Sequence, residues 1–236
     1  MPVKMNPIEA AAADAILVGD PRRAFALAQE LTLQPKMSHQ ARGLWGYSGL
    51  SHDGRPLTVQ STGVGGPSAV PVIGDLAAQG ATRMIRLGTC LATDPGLDAG
   101  TVLLVERAVI TDGAAKLLSD GETFARPDQR LLAAFDRLGR RATVSSHDLV
   151  ERHEPEGATR PDPGPAVARD LQTAATLAMC RRLEMPAAAL LIVAEDNTGR
   201  RLVEDELWEL FRATGKAVLA RLDRRESPDW SGNPEP

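Results

Sequence analysis

Cysteine is scarce in this chain. Only two occur among 236 residues, Cys90 and Cys180, each within an apolar stretch, which argues against a disulfide framework or a zinc site and for two buried free thiols in a reducing compartment. Long apolar runs are missing too. None reaches the ~20 residues that span a bilayer, and the opening Met1-Pro2-Val3-Lys4-Met5-Asn6-Pro7 has no signal-peptide core, so a cytoplasmic protein with no membrane partner is expected. Positive charge is in no excess: the net charge is −4, with Lys and Arg spread along the chain, which argues against a nucleic-acid partner. No Gly-Lys-Ser or Gly-Lys-Thr occurs, so Walker-type nucleotide binding is excluded.

Short β-type runs alternate with longer helical ones, the pattern of an α/β fold. Ala15-Ile16-Leu17-Val18 predicts a first strand stopped by Gly19-Asp20-Pro21, and residues 23–31 a helix with Phe25, Leu27, Ala28 and Leu31 on one face. The runs 46–51 and 55–61 flank His52-Asp53-Gly54, a hairpin signal that makes the sheet mixed. Gly63-Val64-Gly65-Gly66-Pro67-Ser68 opens a helix to about Gln79, with Gly80 as its stop. Strands are expected at 84–87, 101–105, 142–145 and 188–193, and helices at 130–135, 170–182 and 204–222; residues 151–168, rich in Pro, Gly and charge, read as a loop. The expectation is a single domain over residues 1–223, a central mixed β-sheet flanked by helices, with a frayed tail at 224–236.

Three arginines stand in separate short motifs: Arg23 in Gly19-Asp20-Pro21-Arg22-Arg23, Arg42 in Gln40-Ala41-Arg42-Gly43, and Arg86 in Arg86-Leu87-Gly88-Thr89. Converging guanidinium groups would form a pocket for a tetrahedral oxyanion such as phosphate. Taken singly, each has a plainer reading. Arg23 suits a solvated turn, and Arg86, placed at the end of an apolar strand, suits a structural salt bridge. The glycine-rich segment lacks the G-x-G-x-x-G spacing of a dinucleotide fingerprint. It fits backbone donation to an anion at a helix N-terminus, or a tight turn.

In order, Gly19-Asp20-Pro21-x-Arg23, Arg42-Gly43, Ser61-Thr62-Gly63-Val64-Gly65-Gly66-Pro67-Ser68, Arg86-Leu87-Gly88-Thr89 and Ala174-Ala175-Thr176-Leu177-Ala178-Met179-Cys180 resemble the nucleoside phosphorylase family, in its hexameric purine nucleoside and uridine phosphorylase branch. The likeness runs from about residue 15 to 220 and is strongest over the first 90 residues and 170–198. It implies that Gly19, Arg23, Arg86 and Thr89 bind phosphate, with Arg42 reaching in from a neighbouring subunit. The implied protein is then a homo-oligomer, with a dimer as the minimal active unit and a hexamer as the usual assembly. The implied reaction is phosphorolysis of a nucleoside, with phosphate as co-substrate and no metal or organic cofactor. Orientation of phosphate and electrostatic stabilisation of an oxocarbenium-like sugar would supply most of the acceleration, with Arg86 in a catalytic role.

The chain departs from that pattern around the nucleoside. Asp170-Leu171-Gln172 stands where the family has Glu-Met-Glu for the sugar, and an amide replaces the second carboxylate. The expected base-stacking aromatic is absent from Ser145-Ser146-His147-Asp148, leaving His147 as a substitute or as a solvated turn residue. The uracil-reading glutamine and arginine have no clear match in Glu151-Arg152-His153-Glu154-Pro155, and Val3-Lys4 stands where the family brings a histidine from the neighbour. Asp196 in Glu195-Asp196-Asn197 matches the purine-protonating aspartate, as a general acid if burial raises its pKa, or as a turn cap. Two other readings stay open: a nucleosidase using water, which has no use for the arginines, and a non-catalytic member that binds phosphate or a nucleotide-like ligand.

Overall fold

The computed structural model describes residues 10–150, 153–155 and 164–222; the expected tail, Val3-Lys4 and much of the 151–168 loop lie outside them. In chain order the elements are β1 (Asp14–Val18), α1 (Pro21–Leu31), β2 (Thr32–His39), a 3-10 turn (Ala41–Gly43), β3 (Gly46–Ser51), β4 (Pro56–Ser61), α2 (Gly66–Ala78), β5 (Arg83–Ala92) and β6 (Val102–Ile110). There follow α3 (Gly113–Leu118), β7 (Phe124–Ala125), α4 (Gln129–Ala134), β8 (Arg140–Ser146), β9 (Ala168–Asp170), α5 (Thr173–Arg182), β10 (Ala187–Glu195) and α6 (Glu204–Arg221). The result is a single α/β domain around one mixed sheet.

Parallel strands β4, β1, β5 and β10 lie side by side, and the β3–β4 hairpin carries the sheet outward to β2. On the other side β10 pairs antiparallel with β6, β6 parallel with β8, β8 parallel with β9, and β9 antiparallel with β5. These pairings close a five-stranded ring, so β5 and β10 have no free edge among the described residues.

Strand alternation sorts the core into two layers. Ala15, Leu17, Met84, Ala189 and Leu191 face α2 and α5, while Ile16, Val18, Ile85, Leu190 and Ile192 face α1 and α6. Because both faces are covered, the strands read as near-continuous apolar runs, as expected for a buried sheet. The antiparallel hairpin stands where the Asp-Gly signal puts it.

β2, β5, β9 and α5 differ from expectation, and α3 and β7 were not foreseen. β2 was invisible because it is an edge strand with Pro35 inside, Gln34 at positive φ and two register shifts against β3, features that an edge tolerates. β5 runs on through Ala92, so Arg86 is a mid-strand residue and not a terminal one; Gly88 continues the strand. Residues 168–170 pair as β9, and α5 begins only at Thr173, which puts Asp170-Leu171-Gln172 on a strand-to-helix joint.

One buried acid strains this frame. Asp112 caps α3, its Oδ1 accepting from the Ala115 N–H at 2.8 Å, while Oδ2 is buried with no hydrogen-bond partner. Desolvation raises its pKa from 3.8 to about 6. The folded state therefore holds the proton more tightly than the unfolded chain. Stability is full below about pH 4 and falls as pH rises to 6, by on the order of 2–3 kcal/mol. Asp112→Asn is expected to match the parent at pH 4 and exceed it at pH 7 by a margin of that order, measured by denaturant unfolding across the range.

Candidate functional site

A cavity of about 800 Å³ opens where β1, β4 and β10 end and where β5 passes beneath. Ligand crevices sit at the carboxyl ends of parallel strands because the chain must loop there into the next helix. Its lining includes Gly19, Arg23, residues 63–65, Arg86 and Thr89, together with Val150, Arg169, Leu171, Glu195, Arg201 and Leu202.

Arg23 is delivered by the start of α1. Asp20 caps that helix, accepting from the Arg22 N–H at 2.7 Å, and Pro21 occupies its first turn, a sequence made for an N-terminus. The Arg23 guanidinium lies 4.8 Å over the Phe211 ring of α6, which holds it by cation–π attraction. Burial pushes its pKa down, and Asp20 and Glu204 push it back up. Among the described residues no acceptor takes its N–H groups. α6 is itself pinned at its far end: Arg55 donates to the carbonyls of Leu219 and Leu222, both at 2.8 Å.

The 63–65 turn has φ of +71° at Gly63 and +80° at Gly65, conformations in which a Cβ is strained, so glycine is required. Its N–H groups donate to no acceptor among the described residues. The Thr89 side chain is likewise uncommitted and half-buried at the cavity wall.

Arg86 is different. It is 5% exposed, and its side chain donates from Nη2 to Asp170 at 2.9 Å, from Nη1 to Gln172 at 2.7 Å and from Nε to Thr173 at 3.1 Å. Two of its five N–H bonds are left to face the cavity. Asp170 in turn accepts from Ser146 Oγ, Thr173 Oγ1 and the N–H groups of Gln172 and Thr173. Its carboxylate thus meets the α5 N-terminus as well as the guanidinium, two favourable placements for a buried negative charge.

The other sequence-predicted residues are placed as follows. Asp170, Leu171 and Gln172 all line the cavity, Leu171 with an apolar patch and Gln172 only 2% exposed. His147 does not line the cavity; its Nε2 lies 2.9 Å from Ser145 Oγ. Arg42 is exposed in the 3-10 turn at φ 60°, ψ 17°, away from the cavity lining. Asp196 is also outside it. Its carboxylate is spent on its own turn, accepting from Thr198 Oγ1 at 2.6 Å and from the N–H groups of Thr198 and Arg200. These bonds, that to the Thr198 side chain first, hold its pKa below the ordinary value, opposite to what a general acid needs.

In its place the adjacent Glu195, the last residue of β10, lines the cavity, paired with Arg201 Nε at 2.6 Å. Arg169 from β9, 9% exposed, also lines it, bonded to Glu154 at 2.8 Å. Sequence reasoning missed both residues. A register shift between Val193 and Glu195 breaks strand alternation at that point, so no local pattern in the sequence marks Glu195. Cys90 also touches the cavity, its thiol pushed up by burial and donating to Ile192 O, an inert arrangement.

A family model described as the phosphorylase superfamily matches residues 14–225. The chain belongs to that superfamily. Among its relatives, a uridine phosphorylase of Treponema pallidum is 33% identical over 138 residues, 58% of this chain and 50% of that protein. A purine nucleoside phosphorylase DeoD-type of Oceanobacillus iheyensis is 32% identical over 127 residues, 53% of this chain and 54% of that protein. These matches span about half the length of each relative. Another DeoD-type enzyme, of Alkaliphilus metalliredigens, is 27% identical over 214 residues, 86% of this chain and 91% of its own. Uridine and purine phosphorylases stand side by side among the relatives of this superfamily member, so likeness alone does not select a base.

Gly88 decides whether the superfamily member can seat Arg86. A Cβ there would lie 2.7 Å from Arg86 Nη2 and 2.7 Å from Leu191 Cδ2, and the guanidinium cannot swing aside without dropping its three bonds. Gly88→Ala is expected to lower stability by about 1–3 kcal/mol, seen as a drop in urea midpoint at unchanged slope.

Proposed function

We propose that the chain is a nucleoside phosphorylase that cleaves an N-glycosidic bond with phosphate, giving a free base and a pentose 1-phosphate. The observation that carries this reading is a guanidinium, Arg23, that among the described residues has no acceptor, beside N–H groups of residues 63–65 and a Thr89 hydroxyl that are likewise unbonded there. Fixed donors of this kind suit phosphate and cost no reorganisation when it binds. The two remaining Arg86 N–H bonds complete the cradle. Phosphate so held attacks C1′ of the sugar; the C1′–N bond breaks and its electron pair leaves with the base. No cofactor beyond phosphate takes part.

In the same cavity, the Glu195 carboxylate, oriented by Arg201, accepts from an N–H on the base edge and orients the leaving group. Asp196 has no such role in this reading. Arg42, exposed on a turn with φ in the left-handed region, reaches the phosphate of a neighbouring subunit, which makes a dimer the active unit and a hexamer the assembly. Among the described residues no helix is long and apolar enough to cross a membrane; with two buried free thiols, the protein works in the cytoplasm.

Among the described residues the cavity has no aromatic side chain in its lining, which favours a second reading, a phosphate-binding member that does not turn over nucleosides. Incubation of the purified chain with a panel of purine and pyrimidine nucleosides, with and without phosphate, separates the two. Base release that requires phosphate supports the phosphorylase; release without it points to hydrolysis, and none at all to the binding role.

Two variant sets follow. Arg23→Ala removes charge-assisted bonds of roughly 1.5–3 kcal/mol, so the phosphate KM is expected to rise about 10- to 100-fold with a smaller change in nucleoside KM. Glu195→Gln is expected to lower kcat/KM by about tenfold or more, the scale of one charge-assisted hydrogen bond, and Asp196→Asn to leave it within about threefold. The reverse order would return the base-facing role to Asp196.

A further inference from the structure

Gln172 has no hydrogen-bonding capacity left for a substrate. Its Nε2 donates to the carbonyls of Gly63 at 2.9 Å and Gly65 at 3.0 Å. Its Oε1 accepts from Arg86 Nη1 at 2.7 Å and from the Thr62 hydroxyl at 2.9 Å. That hydroxyl also lies 3.0 Å from Val18 O, so its single proton is shared between the two acceptors. The amide can point only one way, because a guanidinium only donates and a backbone carbonyl only accepts.

We propose that Gln172 is a positioning residue and not a sugar ligand: its amide ties the 63–65 turn to Arg86 and fixes the spacing of the donors that converge on the cavity. The link from this tie to phosphate rests on the phosphorylase reading; the tie itself does not. Gln172 spans the site from α5 to the turn, so one side chain sets both halves of the cradle. Its neutrality is essential. A carboxylate of the same shape would give one oxygen to Arg86 and Thr62 and turn the other, with no proton, onto two carbonyl oxygens at about hydrogen-bond distance, and the turn would have to move away.

The test compares the whole chain with Gln172→Glu, and with Gln172→Met, which is uncharged and of similar length and loses the four bonds without adding repulsion. Circular dichroism checks that each variant folds. Hydrogen exchange is followed in peptides covering residues 62–68 and, as a control, α6, and phosphate binding is measured by calorimetry. Exchange of the two bonded amides in that segment, Thr62 N–H on Val18 O and Ser68 N–H on Gly65 O, is expected to rise tenfold or more in Gln172→Glu and in Gln172→Met, with α6 unchanged, and phosphate affinity to fall tenfold or more. Unchanged exchange at 62–68 in a folded variant overturns the proposal, as does a Gln172→Glu protein that binds nucleoside more tightly with its turn undisturbed. Should the parent bind no phosphate while exchange still rises in the variants, the tie stands and the phosphorylase reading falls.

Discussion

A positive charge set in the middle of a buried strand has to be met by partners, and the rest of the site is arranged around meeting it. Arg86 is placed mid-strand in β5, on the face that α2 and α5 cover. Its charge is matched by Asp170, which also takes the first N–H groups of α5. Its shape is matched by Gly88, whose missing side chain leaves the space the guanidinium fills. Gln172 passes the same constraint to the glycine turn after β4. An isolated charge in such a position would cost several kcal/mol; satisfied on three sides, it joins β5, β9, α5 and the 63–65 turn, which approach one another only in the folded chain.

Two of the arginines that line the cavity, Arg23 and Arg86, thus divide the labour. Arg86 is committed to the protein by three bonds and contributes mainly shape and the remainder of its charge. Arg23 is held by an aromatic ring, a contact that directs the guanidinium and leaves its donors free. This difference explains how one site can be rigid and still have unsatisfied donors to offer an anion. The same cavity carries paired charges of both signs, Glu195 with Arg201 and Arg169 with Glu154, and among the described residues no aromatic ring lines it, a different surface from a stacking platform.

Much of this was legible in the residues. β1, the β3–β4 hairpin, α2 and α6 follow from apolar runs punctuated by Gly, Pro and Asp-Gly, because those signals act locally. What stayed hidden is non-local. β2 and β9 are strands only because partners pair with them, and β5, expected to end at Leu87, runs on through Gly88, whose missing side chain leaves room for Arg86. Gly19, Arg23, Arg86 and Thr89 were singled out on motif grounds and do line one cavity. Asp196 was named on motif grounds and lies outside the cavity lining, whereas its neighbour Glu195 lies in it. Gln172 was read by its chemistry as a weakened sugar ligand; its partners, 107 to 110 positions away for Gly65, Gly63 and Thr62, are visible only in three dimensions.

The central claim is that the donors around Arg23 hold a phosphate that becomes bonded to the sugar. The most direct measurement is a ³¹P spectrum of the protein incubated with phosphate and a nucleoside that it cleaves. The account predicts a new sugar phosphate resonance growing in step with free base, while inorganic phosphate declines by the same amount. Free base accumulating beside unphosphorylated pentose, with the inorganic phosphate signal unchanged, would contradict it.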